Sequence, residues 1–377
     1  MAALRRATLD SPQVPSLLSR FGPASWTRTA LTLLLAYAAS RLCVWLGTPI
    51  PWMIGPLLAT ALVSVLGAPT ESWAPLRNVG QWVIGAALGL YFTPEVGALV
   101  ASLWWAIALG VAWALMLGLG FSAWLRRLHA ARLNLPPAQL MATTYFAGAI
   151  GGASEMTLLA ERQHARTDLV AAAHTLRVLL VTVTIPFALQ AAGVHGLDLL
   201  PPAVREVHWG GLALLGLLTL VGALAMQRLG RANPWFMGAL VATMLITLAD
   251  VQLSALPVAF TNMAQLFIGI SLGVRFTPAF AHTAPRWLGS VAVATFAMMA
   301  LCAGFGWVMA RLTGLHPVTM LLGTSPGGIA EMAITAKVLQ LGAPVVTAFQ
   351  VCRLVAVLVL AEPVYRWRYA QAQKSPA

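Results

Sequence analysis

Apolar stretches follow one another along this chain from residue 29 to residue 365, separated by short polar breaks. The first group covers residues 29–46, 52–67, 79–92, 97–125, 139–165 and 167–192. After a polar connection at 193–208, a second group covers 210–227, 235–249, 261–276, 287–310, 318–340 and 343–365. Runs near 20 residues match the hydrocarbon thickness of a bilayer, and only structures that satisfy their own backbone hydrogen bonds can occupy it. The pattern therefore predicts an all-α polytopic membrane protein. The 79–92 run is Gly-rich (Gly80, Gly85, Gly89) and would be about 21 Å long as a helix. That is too short to span comfortably without neighbours.

The second group repeats the first in letters as well as in hydropathy. Pro51-Trp52-Met53-Ile54-Gly55 parallels Pro234-Trp235-Phe236-Met237-Gly238. Asn78, Gln81, Gly85, Gly89, Phe92, Thr93 and Pro94 recur as Asn262, Gln265, Gly269, Gly273, Phe276, Thr277 and Pro278. Gly151-Gly152-Ala153-Ser154-Glu155-Met156 recurs as Gly327-Gly328-Ile329-Ala330-Glu331-Met332, and Arg177 recurs as Arg353, both at a spacing of 176 residues. An internal duplication follows: a tail at 1–28, repeat one at 29–192, the connection at 193–208, repeat two at 209–368 and a C-terminal tail at 369–377.

Composition agrees with the bilayer as solvent. The chain is 59% hydrophobic and 9% charged, with mean hydropathy +0.80, whereas soluble domains are about 25% charged. The net charge of +12 sits in short loops, as the positive-inside bias requires, and no soluble basic domain is visible that would bind nucleic acid. Arg126, Arg127, His129 and Arg132 form the densest basic loop. The apolar run after residue 28 continues past Ala36-Tyr37-Ala38, which predicts a retained first span rather than a removed signal peptide. Cys43, Cys302 and Cys352 are far apart in apolar segments and read as small core residues.

The same charges arbitrate the topology. If the Gly-Gly segments cross the membrane, Arg162, Arg166, Arg228, Arg231, Arg275, Arg286 and Lys337 all fall outside. If each is a re-entrant hairpin, only Arg205, Arg311 and Lys337 do. The hairpin arrangement fits the bias better. It predicts five spans plus one hairpin per repeat, with the second repeat inverted and the N-terminus cytoplasmic in a bacterial inner membrane.

Inverted repeats with broken helices place a binding site near the midplane. Glu155 and Glu331 are the expected ion- or proton-coupling residues. Arg177 and Arg353 come to similar depth and are the expected charge partners or substrate contacts. Gly151, Gly152, Ser154, Thr324, Ser325, Pro326, Gly327 and Gly328 form the expected hairpin tips. Glycine suits a break in the helix, and exposed backbone N–H groups suit an anion. Asn78, Gln81, Asn262 and Gln265 either bond between helices or line a cavity. His174, matched by Gln350, reads as a satisfied polar core residue, and Arg41 as a snorkelling residue near a span end.

Together the Gly-Gly-x-x-Glu-Met, Pro-Trp-x-x-Gly and Asn-x-x-Gln…Phe-Thr-Pro motifs resemble the membrane AbrB family from about residue 29 onward. That family carries a duplicated domain and is distinct from the soluble DNA-binding regulator of the same name. The resemblance implies a role in regulation of gene expression, or the ammonia monooxygenase activity with which the family is often labelled. Copper or iron sites need clustered ligands, and the seven histidines (His129, His164, His174, His195, His208, His282, His316) are scattered without a His-x-x-x-His pair. No metal, no cofactor and no enzyme activity are expected. The leading expectation is a proton- or sodium-coupled transporter or exporter of a small, anionic metabolite. The alternative is a membrane sensor or regulator that acts indirectly. The expected partners are the lipid bilayer and a small-molecule substrate, with no nucleic acid, and a homodimer built on the long helices is compatible with the pattern.

Overall fold

A computed structural model of the chain describes residues 23–194, 196, 206–278, 280 and 285–369. Most of both expected tails and of the expected connection lies outside the described residues. Among those residues the protein is all-α, with no strand. The helices are α1 (Pro23–Trp45), α2 (Pro51–Val65), α3 (Ala74–Gly89), α4 (Pro94–Ser102), α5 (Trp104–His129), α6 (Pro137–Gly148), α7 (Ala153–Arg162), α8 (Thr167–Ala191), α9 (Trp209–Arg228), α10 (Pro234–Leu248), α11 (Val258–Gly273), α12 (Pro285–Thr313), α13 (Pro317–Thr324), α14 (Ile329–Val338) and α15 (Ala343–Tyr369).

Five of these, α5, α8, α9, α12 and α15, are long and apolar enough to cross a membrane. The protein is a multi-pass membrane protein. This is fewer full-length spans than the ten expected from the apolar runs. Helices α2, α10 and α11 have only 15, 15 and 16 residues, or about 22–24 Å. α2 packs on α1 and α11, α10 on α3 and α9, and α11 also on α3, so neighbours rather than lipid cover much of their length. The 97–125 run also divides: α3 and α4 meet at 90°, and α5 begins only at Trp104. The Phe-Thr-Pro motif makes this corner. Thr93 caps α4, its hydroxyl accepting from the Val96 N–H at 3.4 Å, and Pro94 fills the first turn where no N–H is needed. The Thr277 hydroxyl accepts from the Phe280 N–H at 3.3 Å in the matching position.

Helices α1–α3 and α9–α11 interlock through exchanged contacts. α3 packs on α10, α11 packs on α2, and α3 and α11 pack on each other. The repeated glycines set these approaches. A Cβ at Gly85 would lie 2.3 Å from the Phe236 carbonyl oxygen, and one at Gly269 would lie 2.5 Å from that of Met53. Gly89 meets Leu240 and Thr243 of α10, and Gly273 meets Leu57 and Thr60 of α2. Each motif glycine thus abuts the Pro-Trp-x-x-Gly helix of the other half, which accounts for both motifs occurring twice.

The remaining helices pack around α5 and α12. At one end of this pair His129 hydrogen-bonds Ser290 (2.9 Å), the Trp287 indole N–H donates to the Leu169 carbonyl (3.2 Å), and Arg126 lies over the Tyr369 ring. At the other end Leu103, Met309, Met320 and Val345 share one apolar cluster.

Candidate functional site

The two Gly-Gly segments each fold back on themselves. Near the start of α6, the Gln139 side-chain amide donates to the His164 carbonyl (3.1 Å), and the Thr143 hydroxyl accepts from the Arg166 N–H (2.9 Å). A single straight helix would hold residues 143 and 166 about 35 Å apart. In the second half the Thr319 hydroxyl donates to the Leu341 carbonyl (2.9 Å), again joining the start of the segment to the loop after it. The first pair of ends lies near the Leu169–Trp287 contact and the second near Met320 and Val345. The two folded-back segments therefore open at opposite ends of α5 and α12.

At each tip a short helix ends and another begins, leaving the last carbonyls of the first without helical partners. Arg177 supplies donors to the first set. Its guanidinium is buried and donates to the carbonyls of Ala147 (3.3 Å), Gly148 (3.3 Å) and Ala149 (3.0 Å). It also donates to His174 Nδ1 at 2.8 Å. Arginine has no acceptor, so Nδ1 must be unprotonated and Nε2 carries the hydrogen donated to the Phe146 carbonyl at 2.9 Å. The second tip is built alike. Arg353 donates to the carbonyls of Ser325 and Gly327 (2.8 Å to the latter), and the Gln350 amide donates to the Leu322 carbonyl (2.6 Å). Gln350 thus does for Leu322 what His174 does for Phe146.

This corrects one expectation. Glu155 and Glu331 form no ion pair with Arg177 and Arg353; among the described residues the ion pairs are Arg166–Asp168 and Arg366–Glu362. The arginines sit at helix C-termini, where carbonyls and the dipole favour a cation, and the glutamates at N-termini, where N–H groups favour an anion. Glu155 and Glu331 are the third residues of α7 and α14 and fold back over the residues that precede those helices. A Cβ at Gly152 would lie 2.1 Å from Glu155 Oε2, and one at Gly328 would lie 2.0 Å from Glu331 Oε2. The preceding glycines make room for the methionines: a Cβ at Gly151 or Gly327 would come within 2.8 Å of Met156 or Met332. The second glycine of each pair has ordinary backbone angles (φ −67° and −75°), so close approach rather than left-handed geometry explains it.

Thr324, Ser325 and Pro326 are buried at the second tip, with both hydroxyls donating to carbonyls of α13. Ser154 is exposed, beside a cavity of about 540 Å³. Helices α7 and α8 contribute Ser154, Thr157, Asp168 and Thr175, and the corner after α11 contributes Arg275 and Thr277. Asp168 is held by Arg166, which donates two hydrogen bonds (2.9 and 2.6 Å). Arg275 is within electrostatic reach of both Glu155 and Glu331. Asn78, Gln81, Asn262 and Gln265 lie on the packed helices α3 and α11 and do not line this cavity.

The cavity residues, Ser154 and the motif threonine Thr277 apart, were not singled out from the sequence. Their signal is a mismatch between the halves. The positions matching Ser154, Thr157, Asp168, Thr175, Arg275 and Phe280 are Ala330, Ala333, Pro344, Val351, Tyr91 and Val96. All six are buried or half-buried. The polar cavity beside the first hairpin thus has a packed, largely apolar counterpart beside the second, where Lys337 lies over the Tyr91 ring.

A model of the family described as "Transition state regulatory protein AbrB" matches residues 12–369. The chain belongs to the AbrB family. Relatives of this AbrB-family chain include a Bacillus subtilis (strain 168) protein named "Uncharacterized protein YhjN", 24% identical over 349 residues, covering 85% of this chain and 88% of the relative. Another is an Escherichia coli (strain K12) protein named "Putative regulator AbrB", 25% identical over 334 residues, covering 87% of this chain and 93% of that protein. The monooxygenase label finds no support in the side chains. Among the described residues no group of three or more His, Cys, Asp or Glu comes together to hold a metal ion.

Proposed function

We propose that this AbrB-family chain is a membrane sensor. It binds a small anionic metabolite in the cavity beside the first hairpin and acts indirectly in regulation of gene expression. The observation that carries this reading is the one-sidedness of the cavity. Polar side chains line it in the first half, and Ala330, Ala333, Pro344 and Val351 pack the matching place in the second. A site that fills from one side and ends in packed protein suits binding more than passage. The regulator named among the relatives favours the same reading, which the sequence alone had placed second to transport.

The chain is taken to lie in a bacterial inner membrane as two inverted repeats, each with a re-entrant hairpin. The fold-back contacts of Thr143 and Thr319 and their placement at opposite ends support this arrangement. Arg126, Arg166 and Arg368 lie at the end where the first hairpin opens, which the positive-inside bias makes cytoplasmic, together with the N-terminus. The cavity then samples the cytoplasmic pool. A second reading, coupled transport with Glu155 and Glu331 as ion carriers, draws on the same hairpins.

The test combines binding, flux and response. Small anions are screened for raising the melting temperature of the purified protein, since a ligand of the folded state stabilises it. The hits are then offered to proteoliposomes, and transcripts are compared between cells with and without the chain. The sensor reading expects stabilisation and an expression change without flux, both lost in Thr157→Trp. Flux of the stabilising anion would replace it with the transport reading.

A further inference from the structure

We infer that Arg275 is the anion-recognising residue of the cavity and that the ligand it takes is a small organic carboxylate. The inference rests on reading the cavity as a ligand site, and its grounds are chemical. Among the described residues the Arg275 guanidinium has no hydrogen-bond or ion-pair partner, although it lines a volume of about 540 Å³, within the usual size range for small-molecule sites. Its planar fork of donors matches a carboxylate.

One carboxylate lines the cavity, and two more stand within electrostatic reach of Arg275 without bonding to it. Asp168, on the cavity wall, is neutralised by Arg166. Glu155 and Glu331 sit at the N-termini of α7 and α14, and Arg77 adds a second positive charge to the corner. Ser154, Thr157, Thr175 and Thr277 offer hydroxyls around the same space, which suits the remaining oxygens of a polar organic anion. The counterpart position carries Tyr91 under Lys337, so of the two equivalent corners only the one after α11 presents a guanidinium to an open cavity.

The experiment uses Ser154→Cys in a chain whose Cys43 and Cys352 are replaced by serine; buried Cys302 stays, with the Ser154 parent as the unlabelled control. Rates of modification by the anionic 2-sulfonatoethyl and the cationic 2-(trimethylammonio)ethyl methanethiosulfonates are measured and normalised to free mercaptoethanol. A positively charged cleft raises the local concentration of anions by about tenfold or more, so the normalised ratio should favour the sulfonate by about that factor. Arg275→Gln should return the ratio to the free-thiol value, and Arg275→Lys should keep most of it. Sodium acetate and sodium succinate should slow the sulfonate reaction in the Arg275 chain, whereas choline chloride at equal ionic strength should not. A ratio that Arg275→Gln leaves unmoved, a preference for the cationic reagent, an unreactive Ser154→Cys, or no protection by either carboxylate would each overturn the inference. Loss of charge selectivity with the Thr157-dependent expression response intact would remove Arg275 alone. Selectivity without that response would remove the sensor reading alone.

Discussion

Whether Arg177 serves the hairpin backbone or the glutamate can be decided by a double-mutant cycle. Arg177→Gln removes donors from the carbonyls of Ala147, Gly148 and Ala149 and from His174 Nδ1. A buried group left unsatisfied costs about 1–3 kcal/mol. Two of the three carbonyl contacts are long at 3.3 Å, and a glutamine amide can recover one of them, so the expected loss is about 3 kcal/mol. Glu155→Gln removes no partner of Arg177 and should cost about 1 kcal/mol or less, as a change at a partly exposed helix N-terminus. Because no ion pair joins the two, the double variant should be additive to within about 0.5 kcal/mol. Unfolding by sodium dodecyl sulfate in mixed micelles, followed by tryptophan fluorescence, gives the four free energies. Breaking a buried ion pair by removing one partner costs about 3–5 kcal/mol, so a coupling energy above about 2 kcal/mol would refute the backbone role. The Arg353–Glu331 cycle should be additive within the same limit, since no ion pair joins that pair either.

The glycines separate into two classes with different outcomes. Gly85→Ala and Gly269→Ala place a methyl against a backbone carbonyl at 2.3 and 2.5 Å; α3 and α10, or α11 and α2, must part, and each should lose about 2–3 kcal/mol or more in the same unfolding assay. Gly152→Ala and Gly328→Ala meet only the end of a flexible glutamate, so each should cost about 1 kcal/mol or less. By moving the Glu155 carboxylate, Gly152→Ala should still change the modification rate of a cysteine at Ser154.

The all-α membrane class was legible from the apolar runs, and several helix contacts from motifs that occur twice in the letters. The Asn-x-x-Gln…Phe-Thr-Pro and Pro-Trp-x-x-Gly motifs are helix-contact code: glycine against a carbonyl, and threonine with proline at a corner. Their repetition predicted which segments matter, though not that each packs on the other half's partner. The spacing to Arg177 and Arg353 is the same in both halves, but it pointed to the glutamates, whereas each guanidinium meets the carbonyls of its own tip. Sequence spacing gives depth in the membrane; it does not say that broken helix ends leave carbonyls needing donors. His174 and Gln350 looked mismatched and nevertheless perform one task, because either side chain can offer an N–H to the same carbonyl. The reverse held for Arg275. It departs from Tyr91, so a reading built on symmetry passed over a cavity residue within electrostatic reach of both tip glutamates. Short helices such as α2 and α10 were legible as apolar runs, but no sequence rule told how much of their surface other helices would cover.

The account depends above all on the Gly-Gly segments turning back, since this brings Glu155, Ser154 and the cavity together. Single cysteines at Gln139 and His164, whose parent residues are hydrogen-bonded across the mouth of the first hairpin, can be labelled with a membrane-impermeant maleimide in intact cells and in inverted vesicles. The account predicts that both positions react from the same side, the cytoplasmic one, and so label in inverted vesicles alone. Labelling of the two from opposite sides would mean that residues 139–165 cross the membrane, and would contradict it.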